Sequence, residues 1–325
     1  MSKTALLFAG QGAQAVGMGK DLAERFPSAK AWFDRANAAL GYDLASICFN
    51  GPEPELTKTE NAQPGIFLVS WVAFQLLKER VGVQALACST ADTLKRELQL
   101  KFDATAGLSL GEFTALTAAG AMSFEDGLRV VRQRGRFMQE ACEATRGGMA
   151  AVIGLDEAPM REVCAKGGVV LANLNCPGQL VISGESDKIG KAVELAKAKG
   201  AKRAIALPVA GAYHSPLMAG AQPKLKAELA KIMISSPGVP VISNVTAQAH
   251  STPADISARL VEQVTSSVLW EKSMRYLLAQ GFTLFIELGP GTVLSGFMKR
   301  IDKNVQMLNV ADVASLEATV KALVP

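Results

Sequence analysis

Short apolar runs alternate with longer amphipathic segments along most of the chain. The run TALLFAG, Thr4 to Gly10, predicts a buried strand, and helical patterns follow in MGKDLAERF and AKAWFDRANAAL, interrupted at Pro27. Another strand is predicted near Asp103 to Gly107, and strands and helices alternate again from Pro208 onwards. This alternation is typical of an α/β domain whose mostly parallel sheet has helices on both faces.

The middle of the chain has a different order of elements. The segments GMAAVIGL, DEAPMREVCAKG, GVVLANLN, GQLVISGE, SDKIGKAVELAKAKG and AKRAIALP predict strand, helix, strand, strand, helix and strand. That is the β-α-β-β-α-β order of a ferredoxin-like unit. We therefore predict a ferredoxin-like small domain at residues 146–207, inserted into a catalytic domain formed by residues 1–145 and 208–325. One further segment, Ser89 to Asp103, predicts a charged surface helix inserted before the second strand.

Composition and charge exclude several classes of protein. The chain has 325 residues, of which 49% are hydrophobic, so it can bury a sizeable core. A net charge of +4 with only 6% aromatic residues is too mild for a dedicated nucleic-acid surface. No apolar run is long enough for a signal peptide or for a membrane span of about 18 residues. We expect a cytoplasmic protein that binds neither nucleic acid nor membrane.

The cysteines indicate neither a disulfide framework nor a metal site. There are five of them, widely spaced and without any C-x-x-C pair. Structural zinc sites and disulfide-rich domains both need paired, closely spaced cysteines. We expect reduced thiols and no bound metal.

The stretch AGLSLGEFTAL carries the clearest candidate for catalysis, Ser109. G-x-S-x-G between a strand and a helix is the nucleophile-elbow pattern, in which a tight turn exposes the serine and requires small neighbours. The dipole of the following helix would favour a developing oxyanion. The competing interpretation is a glycine-rich turn that merely contains a serine.

A serine nucleophile needs a neighbouring base, and the chain has only two histidines. His250 lies in the polar turn AQAHSTPAD and is expected on the surface. His214 follows the apolar stretch LPVAG, and we expect it to project from the carboxyl end of a strand, where open parallel sheets place their ligand sites. His214 is the candidate base, although a histidine satisfied in the core would give the same pattern.

The first loop, AGQGAQAVGMG, matches the pattern G-x-G-x-x-A of dinucleotide-binding proteins. A Rossmann unit requires a second strand that carries an acid about 20 residues later, whereas Ser28 to Leu40 predicts a helix with Asp34 inside it. A glycine-rich turn after the first strand can instead lend a backbone N–H to an oxyanion hole. Gln11 is the natural donor in that case.

Six stretches in this order resemble the malonyl-CoA:acyl carrier protein transacylases of the acyltransferase family. They extend over nearly the whole chain, which makes the resemblance specific, and they are FAGQGAQAVGMGKDL, GLSLGEFTAL, VVRQRGRFMQEA, NCPGQLVISG, YHSPLM and ELGPGTVLSGFMKR. The resemblance implies an α/β-hydrolase-like large domain with an inserted ferredoxin-like small domain, which agrees with the pattern of elements.

The resemblance also implies roles for individual residues. Ser109 would be the nucleophile and His214 the general base. Gln11 and Leu110 would supply the N–H groups of an oxyanion hole. Arg134 would bind the free malonyl carboxylate, because a planar guanidinium can hold a carboxylate with two hydrogen bonds. Spacing alone does not distinguish Arg134 from the other arginines of RVVRQRGR, which also fit a charged helix face.

Two further residues and two departures follow from the same resemblance. Gln263 would orient His214 through a carbonyl oxygen, and Asn175 would lie near the pocket. The inserted Ser89 to Asp103 segment departs from the family pattern, and so does Leu108, because a histidine usually precedes the serine in the family. We expect the Leu108 side chain to point away from Ser109 and to alter the packing behind it.

The implied activity is transfer of a malonyl group from malonyl-CoA to the phosphopantetheine thiol of acyl carrier protein, through a malonyl-serine ester. It would supply fatty acid biosynthesis, without a cofactor and as a monomer. Tyr213, immediately before His214, accompanies malonyl selectivity in related polyketide enzymes. Lys299 and Arg300 are candidate contacts for an acidic carrier. Three alternatives stay open: a serine hydrolase or thioesterase, an acyltransferase for another acyl-CoA, and a catalytically silent carrier-binding module.

Overall fold

Two sheets organise the part of the chain that the structure, a computed structural model, describes: residues 3–87 and 100–324. The strands are β1 (Lys3–Phe8), β2 (Ala104–Gly107), β3 (Gly147–Ile153), β4 (Val170–Cys176), β5 (Gln179–Glu185), β6 (Arg203–Ala206), β7 (Val241–Ile242), β8 (Phe282–Leu288) and β9 (Gln306–Val310). The first sheet has the order β7-β2-β1-β8-β9 and all its described pairings are parallel. The alternation in the sequence therefore predicts this sheet correctly.

Helices cover both faces of the parallel sheet and one face of the other sheet. In the described residues they are α1 (Lys20–Arg25), α2 (Pro27–Leu40), α3 (Leu44–Asn50), α4 (Glu53–Thr57), α5 (Thr59–Ala87), α6 (Gly111–Ala118), α7 (Phe124–Ala144), α8 (Glu157–Gly167), α9 (Ser186–Ala198), α10 (Ala221–Leu229), α11 (Pro253–Gln263), α12 (Trp270–Ala279), α13 (Val293–Ile301) and α14 (Val313–Leu323). The α2 range confirms that the first loop leads into a helix and not into the second strand of a dinucleotide fold.

The second sheet is antiparallel and has the ferredoxin-like order. Its strands run β4-β5-β3-β6, with α8 and α9 as the two connecting helices. This confirms the α/β fold class with a hydrolase-like parallel sheet and a ferredoxin-like unit. The domain boundaries at residues 146 and 207 enclose these four strands and stay a prediction.

The prediction that a strand of the parallel sheet leads to His214 is wrong in one respect. β6 ends at Ala206, it belongs to the antiparallel sheet, and His214 lies several residues later in a turn. The ladder ends there because Leu207 makes the last backbone bond, to Met149 O at 2.9 Å, and Pro208 has no N–H to continue it. Most of the predicted surface helix at Ser89 to Asp103, up to residue 99, lies outside the described residues.

Adjacent strands bring two predicted loops together at one sheet edge. β1 and β2 pair in parallel with Phe8 opposite Gly107, so the Gly10–Gln11 loop and the Ser109 turn leave the sheet side by side. β1 is buried along its length after Lys3, as a central parallel strand must be. The carboxyl edge of the sheet therefore carries the candidate site.

Candidate active site

Ser109 lies in a strained turn that only glycine neighbours allow. Its φ is 53°, in the left-handed region that non-glycine residues rarely adopt. A Cβ at Gly107 would lie 1.9 Å from Gly111 O, and a Cβ at Gly111 would lie 2.3 Å from Phe8 O. Both glycines are therefore required for α6 to start directly beneath β1 and β2. Such strain is typical of a functional residue.

The Ser109 hydroxyl meets the imidazole of His214. Ser109 Oγ is 2.8 Å from His214 Nε2, and His214 Nδ1 is 2.9 Å from the backbone oxygen of Gln263. A carbonyl oxygen can only accept, so Nδ1 carries the proton and Nε2 is free to accept the serine proton. His214 also has a positive φ, 57°. The structure thus brings the predicted nucleophile, base and orienting residue into one chain of hydrogen bonds.

His214 is neutral at physiological pH. Its side chain is buried, and this burial together with the nearby Arg134 charge lowers the pKa of His214 to about 4. The bond to Gln263 O opposes that shift without cancelling it. A neutral imidazole can accept a proton over the whole neutral range.

Acylation of Ser109 is therefore expected to stay fast in mildly acidic solution. Because the neutral form of His214 is required, kcat/KM for a thioester substrate should be level from pH 8 to about pH 5 and should fall only below that. Stopped-flow detection of released thiol would measure this profile. A half-maximal rate near pH 6.5 or above would contradict the assignment of His214 as a buried, neutral base.

Arg134 of α7 is the buried cation of the site. Its guanidinium donates from Nη1 to Gln63 Oε1 at 2.6 Å, and from Nη2 to Ser109 Oγ at 3.1 Å and Gln263 Oε1 at 2.9 Å. The residue is 1% exposed, and burial lowers the pKa of Arg134 to about 10, so it stays charged at neutral pH. Its Nε has no acceptor among the described residues. A cation beside the nucleophile suits an anionic substrate.

A cavity of about 540 Å³ opens over the nucleophile. It is lined by the first loop, the Ser109 turn, β4, β5, the segment before His214 and α13. The residues of its wall include Ala9, Gly10, Gln11, Gly12, Ala13, Leu108, Ser109, Met149, Asn173, Asn175, Val181, Val209, Tyr213, His214, Val293, Leu294 and Phe297. The predicted residues Gln11 and Asn175 are thus in the wall. The side-chain oxygen of Asn175 is buried and has no partner in the described residues.

The two predicted oxyanion donors, Gln11 and Leu110, belong to the two loops that leave β1 and β2 side by side. Gln11 lines the cavity, and its side-chain oxygen accepts from Gln63 Nε2 at 3.3 Å. Leu110 is fully buried and precedes the first residue of α6, so its amide is at the N-terminus of a helix. This is the place where a backbone N–H can meet developing negative charge. Their role in an oxyanion hole stays a prediction.

His250 corrects one expectation, whereas the expectation for Leu108 stays a prediction. Leu108 lines the cavity together with Leu294 and Phe297, with which it shares a hydrophobic cluster. His250 is not on the surface, because its side chain is fully buried and its Nε2 lies 2.8 Å from Glu112 Oε1. A buried carboxylate needs such a donor, and the polar turn around His250 supplies it.

Several residues of the site have no distinctive sequence signal. Asn244 accepts from Ser109 N at 2.6 Å and Gln63 binds Arg134, although both are distant from those partners in sequence. Glu112 is the exception, because its place directly after G-L-S-L-G puts an acid in the first turn of the predicted helix α6.

Two other predicted residues are placed by the structure. Tyr213 is buried beside the cavity with its hydroxyl 2.6 Å from Thr59 Oγ1. Arg300, a predicted carrier contact, binds Gln179 and Pro177 O instead of standing free.

Other kinds of site find no support in residues 3–87 and 100–324. No cluster of histidine, cysteine and acidic side chains with metal-binding geometry occurs there. The cysteines in this part of the chain are buried, and burial raises the pKa of each thiol well above its usual range; they are Cys48, Cys142, Cys164 and Cys176. In the same ranges, none of the helices combines the length and the apolar character needed to cross a bilayer.

The sequence matches one protein family over nearly its full length. Residues 5–321 match the model of the acyl transferase domain. The chain is 45% identical over 328 residues to the malonyl CoA-acyl carrier protein transacylase of Bacillus subtilis, covering 99% of this chain and 98% of the relative. The enzyme of the same name from Escherichia coli K12 is 42% identical, with 93% of each chain covered.

Solved structures of such enzymes have the same fold. The malonyl CoA-acyl carrier protein transacylase of Coxiella burnetii superposes with a TM-score of 0.91 at 35% identity, covering 100% of this chain and 98% of the other. A second structure is described as a malonyl-transacylase in complex with its type II polyketide synthase acyl-carrier protein. It superposes with a TM-score of 0.89 at 35% identity, covering 99% of this chain and 100% of the other.

Proposed function

This chain belongs to the acyl transferase family, within its malonyl CoA-acyl carrier protein transacylases, and we propose that it moves malonyl groups through an ester on Ser109. The donor is malonyl-CoA and the acceptor is the phosphopantetheine thiol of acyl carrier protein. The observation that carries the proposal is one hydroxyl with two neighbours: His214 Nε2 at 2.8 Å and the Arg134 guanidinium at 3.1 Å. A base and a cation at one nucleophile suit an anionic acyl group.

The first half-reaction loads the enzyme. Ser109 Oγ gives its proton to His214 Nε2 and attacks the thioester carbon, so a C–O bond forms and an oxyanion develops. The amides of Gln11 and Leu110 stabilise that oxyanion, an effect of roughly 3 kcal/mol per donor. The C–S bond then breaks, and the sulfur of coenzyme A takes the proton from His214.

The second half-reaction reverses these roles. The thiol of the carrier gives its proton to His214 and its sulfur attacks the malonyl ester. The C–O bond to Ser109 breaks, and the serine oxygen takes the proton back from His214. The bond from His214 Nδ1 to Gln263 O keeps the imidazole in the tautomer that serves both steps.

Selectivity for malonyl comes from Arg134. The free carboxylate pairs with its guanidinium, whose Nη2 has to exchange its present bond to Ser109 Oγ for the substrate. An acetyl group brings no carboxylate, so this buried cation would keep only the neutral acceptors Gln63 and Gln263. Asn175, a residue of the cavity wall, contacts the pantetheine amides or the acyl group.

The remaining features of the proposal follow from the same chemistry. Acyl transfer between two thiols needs no cofactor, because serine and histidine supply the nucleophile and the base. We propose a cytoplasmic monomer with acyl carrier protein and coenzyme A thioesters as partners, which serves fatty acid biosynthesis. The catalytic domain comprises residues 1–145 and 208–325, and the small domain residues 146–207.

Steady-state kinetics test the transfer directly. With malonyl-CoA and phosphopantetheinylated carrier both varied, double-reciprocal plots should be parallel, because coenzyme A leaves before the carrier reacts. The loaded enzyme should transfer to the carrier thiol at least about 10²-fold faster than to water. Coenzyme A release at full rate without any thiol acceptor would instead identify a hydrolase.

A further inference from the structure

A carboxylate and an imidazole are buried together behind the nucleophile and outside the cavity wall. Glu112, in the first turn of α6, is 0% exposed, and the side chain of His250 is likewise 0% exposed. Glu112 Oε1 lies 2.8 Å from His250 Nε2. Neither residue belongs to the reaction described above, so their burial calls for a separate reason.

The other oxygen of Glu112 holds two residues of the site. Glu112 Oε2 accepts from Gln263 Nε2 at 2.6 Å and from the backbone N–H of Asn244 at 3.0 Å. The carboxylate thereby ties α6, α11 and the segment after β7 together at one point. One side chain thus controls two neighbours of the catalytic groups.

Through Gln263 this control reaches the base and the cation. Because Glu112 accepts from Nε2, the amide oxygen Oε1 must face the other way, where it accepts from Arg134 Nη2 at 2.9 Å. A reversed amide would turn oxygen toward the carboxylate and N–H toward the guanidinium. The backbone oxygen of the same glutamine accepts from His214 Nδ1. Glu112 therefore sets the orientation of the Gln263 side-chain amide that contacts Arg134, and it anchors the residue whose backbone oxygen contacts His214.

Through Asn244 it reaches the nucleophile turn. Asn244 Oδ1 accepts from Ser109 N at 2.6 Å, and Asn244 Nδ2 donates to Gly107 O at 2.7 Å. The amide bridges the backbone on either side of Leu108, directly before the strained residue, whose positive φ has to be maintained by its surroundings. Glu112 positions this clamp by holding the Asn244 backbone.

His250 supplies the compensating charge. Burial alone would lower the pKa of His250, but the hydrogen bond and charge of Glu112, together with Asp255, raise it above its usual value. Asp255 Oδ2 lies 3.6 Å from His250 Nδ1 and is itself paired with Arg259 at 3.2 Å. His250 Nδ1 makes no hydrogen bond to the described residues, so Asp255 acts on it by charge, while Nε2 of an imidazolium donates to Glu112. A neutral ring would leave Glu112 as an uncompensated buried charge.

On the basis of the proposed function, we propose that the Glu112–His250 ion pair is a positioning element for acyl transfer, acting through Gln263. Neither partner touches the substrate. The pair keeps the amide of Gln263 and the clamp of Asn244 in the arrangement that the reaction needs.

The two histidines of the chain make the pair directly observable. In protein labelled with ¹⁵N-histidine, at pH 7, we expect one neutral ring protonated at Nδ1, His214, and one imidazolium, His250. The variant His250→Gln assigns the signals. In Glu112→Gln the His250 ring should become neutral at pH 7 and the Nδ1 proton signal of His214 should shift. A neutral His250 in the wild-type protein would overturn the proposal. Because this result is obtained with the wild-type protein, it does not depend on whether any variant folds.

Kinetics then test positioning. We expect His250→Gln and Glu112→Gln each to lower kcat by about 10²-fold, because a displacement of about 1 Å disturbs the reacting groups. Any rise in KM should be smaller than the fall in kcat, although the Gln263 amide also contacts Arg134. In the double variant an uncharged amide pair can restore the contacts, so its loss should not exceed that of the worse single variant. If the loss of kcat in the double variant equalled the product of the two single losses, the proposal would be overturned.

A matched control separates this effect from loss of any carboxylate. Glu140 forms an exposed ion pair with Lys224 at 2.6 Å, and Glu140→Gln should leave both kcat and the histidine signals unchanged. Wild-type kcat in a folded His250→Gln variant would overturn the proposal while leaving the proposed function intact. Absence of malonyl transfer in the wild-type protein would refute the proposed function, whereas the histidine signals would still report on the pair.

Discussion

Replacement of Ser109 by alanine is expected to lower malonyl transfer by about 10⁴-fold or more, because no acyl-enzyme can form. The buried His214 and Arg134 would remain, but neither of them can form the acyl ester that the serine oxygen forms. A coupled assay of malonyl transfer to the carrier measures this loss. The folded state should survive, since the substitution removes one hydroxyl from a residue that is 9% exposed.

Ser28→Ala provides the control for this substitution. Ser28 donates to Glu79 at 2.7 Å between two helices and does not line the cavity, so its loss should leave transfer unchanged. If Ser109→Ala retained more than about one hundredth of the wild-type rate, the account of an ester intermediate on this residue would be wrong.

Replacement of Arg134 by alanine is expected to remove the preference for malonyl over acetyl thioesters. Loss of one partner of a buried, hydrogen-bonded charge pair costs about 2–5 kcal/mol, which corresponds to roughly 30-fold or more in kcat/KM for malonyl-CoA. The ratio of kcat/KM for the two substrates is the measurement, because Arg134 also contacts Ser109 and its loss affects every acyl group.

Arg136→Ala is the matched control on the same helix. Arg136 is exposed and pairs with Glu140 at 3.5 Å, so its removal should leave the ratio unchanged. An unaltered ratio in Arg134→Ala would refute the carboxylate-binding role. It would also leave the burial of a cation beside the nucleophile without a function in substrate selection.

Local patterns in the sequence were sufficient for the strained turn at Ser109 and for the fold class. The elbow around Ser109 is a contiguous motif, since Gly107 and Gly111 both belong to the steric requirement of the turn. The parallel sheet follows from the alternation of apolar and amphipathic segments, and the ferredoxin-like unit from its element order. The exact end of β6 did not follow, because the loss of ladder bonds at Pro208 depends on the neighbouring strand.

Contacts between distant segments could not be predicted. Glu112, Asn244 and His250 meet only when α6, the segment after β7 and α11 pack together, and none of them has a periodic or motif signal that announces the contact. The turn around His250 has the composition of a surface loop and its neighbouring residues are partly or fully exposed, yet the His250 side chain itself is buried against the carboxylate of Glu112. The orientation of Gln263 likewise depends on partners far away in the sequence.

The central claim is that Ser109 carries the malonyl group between two thiols, and intact-protein mass spectrometry tests it most directly. After brief incubation with malonyl-CoA, the account predicts a mass gain of one malonyl group that is absent with Ser109→Ala, weak or absent with acetyl-CoA, and removed faster by carrier thiol than by water. Coenzyme A release without any adduct, or an adduct that persists in Ser109→Ala, would contradict it.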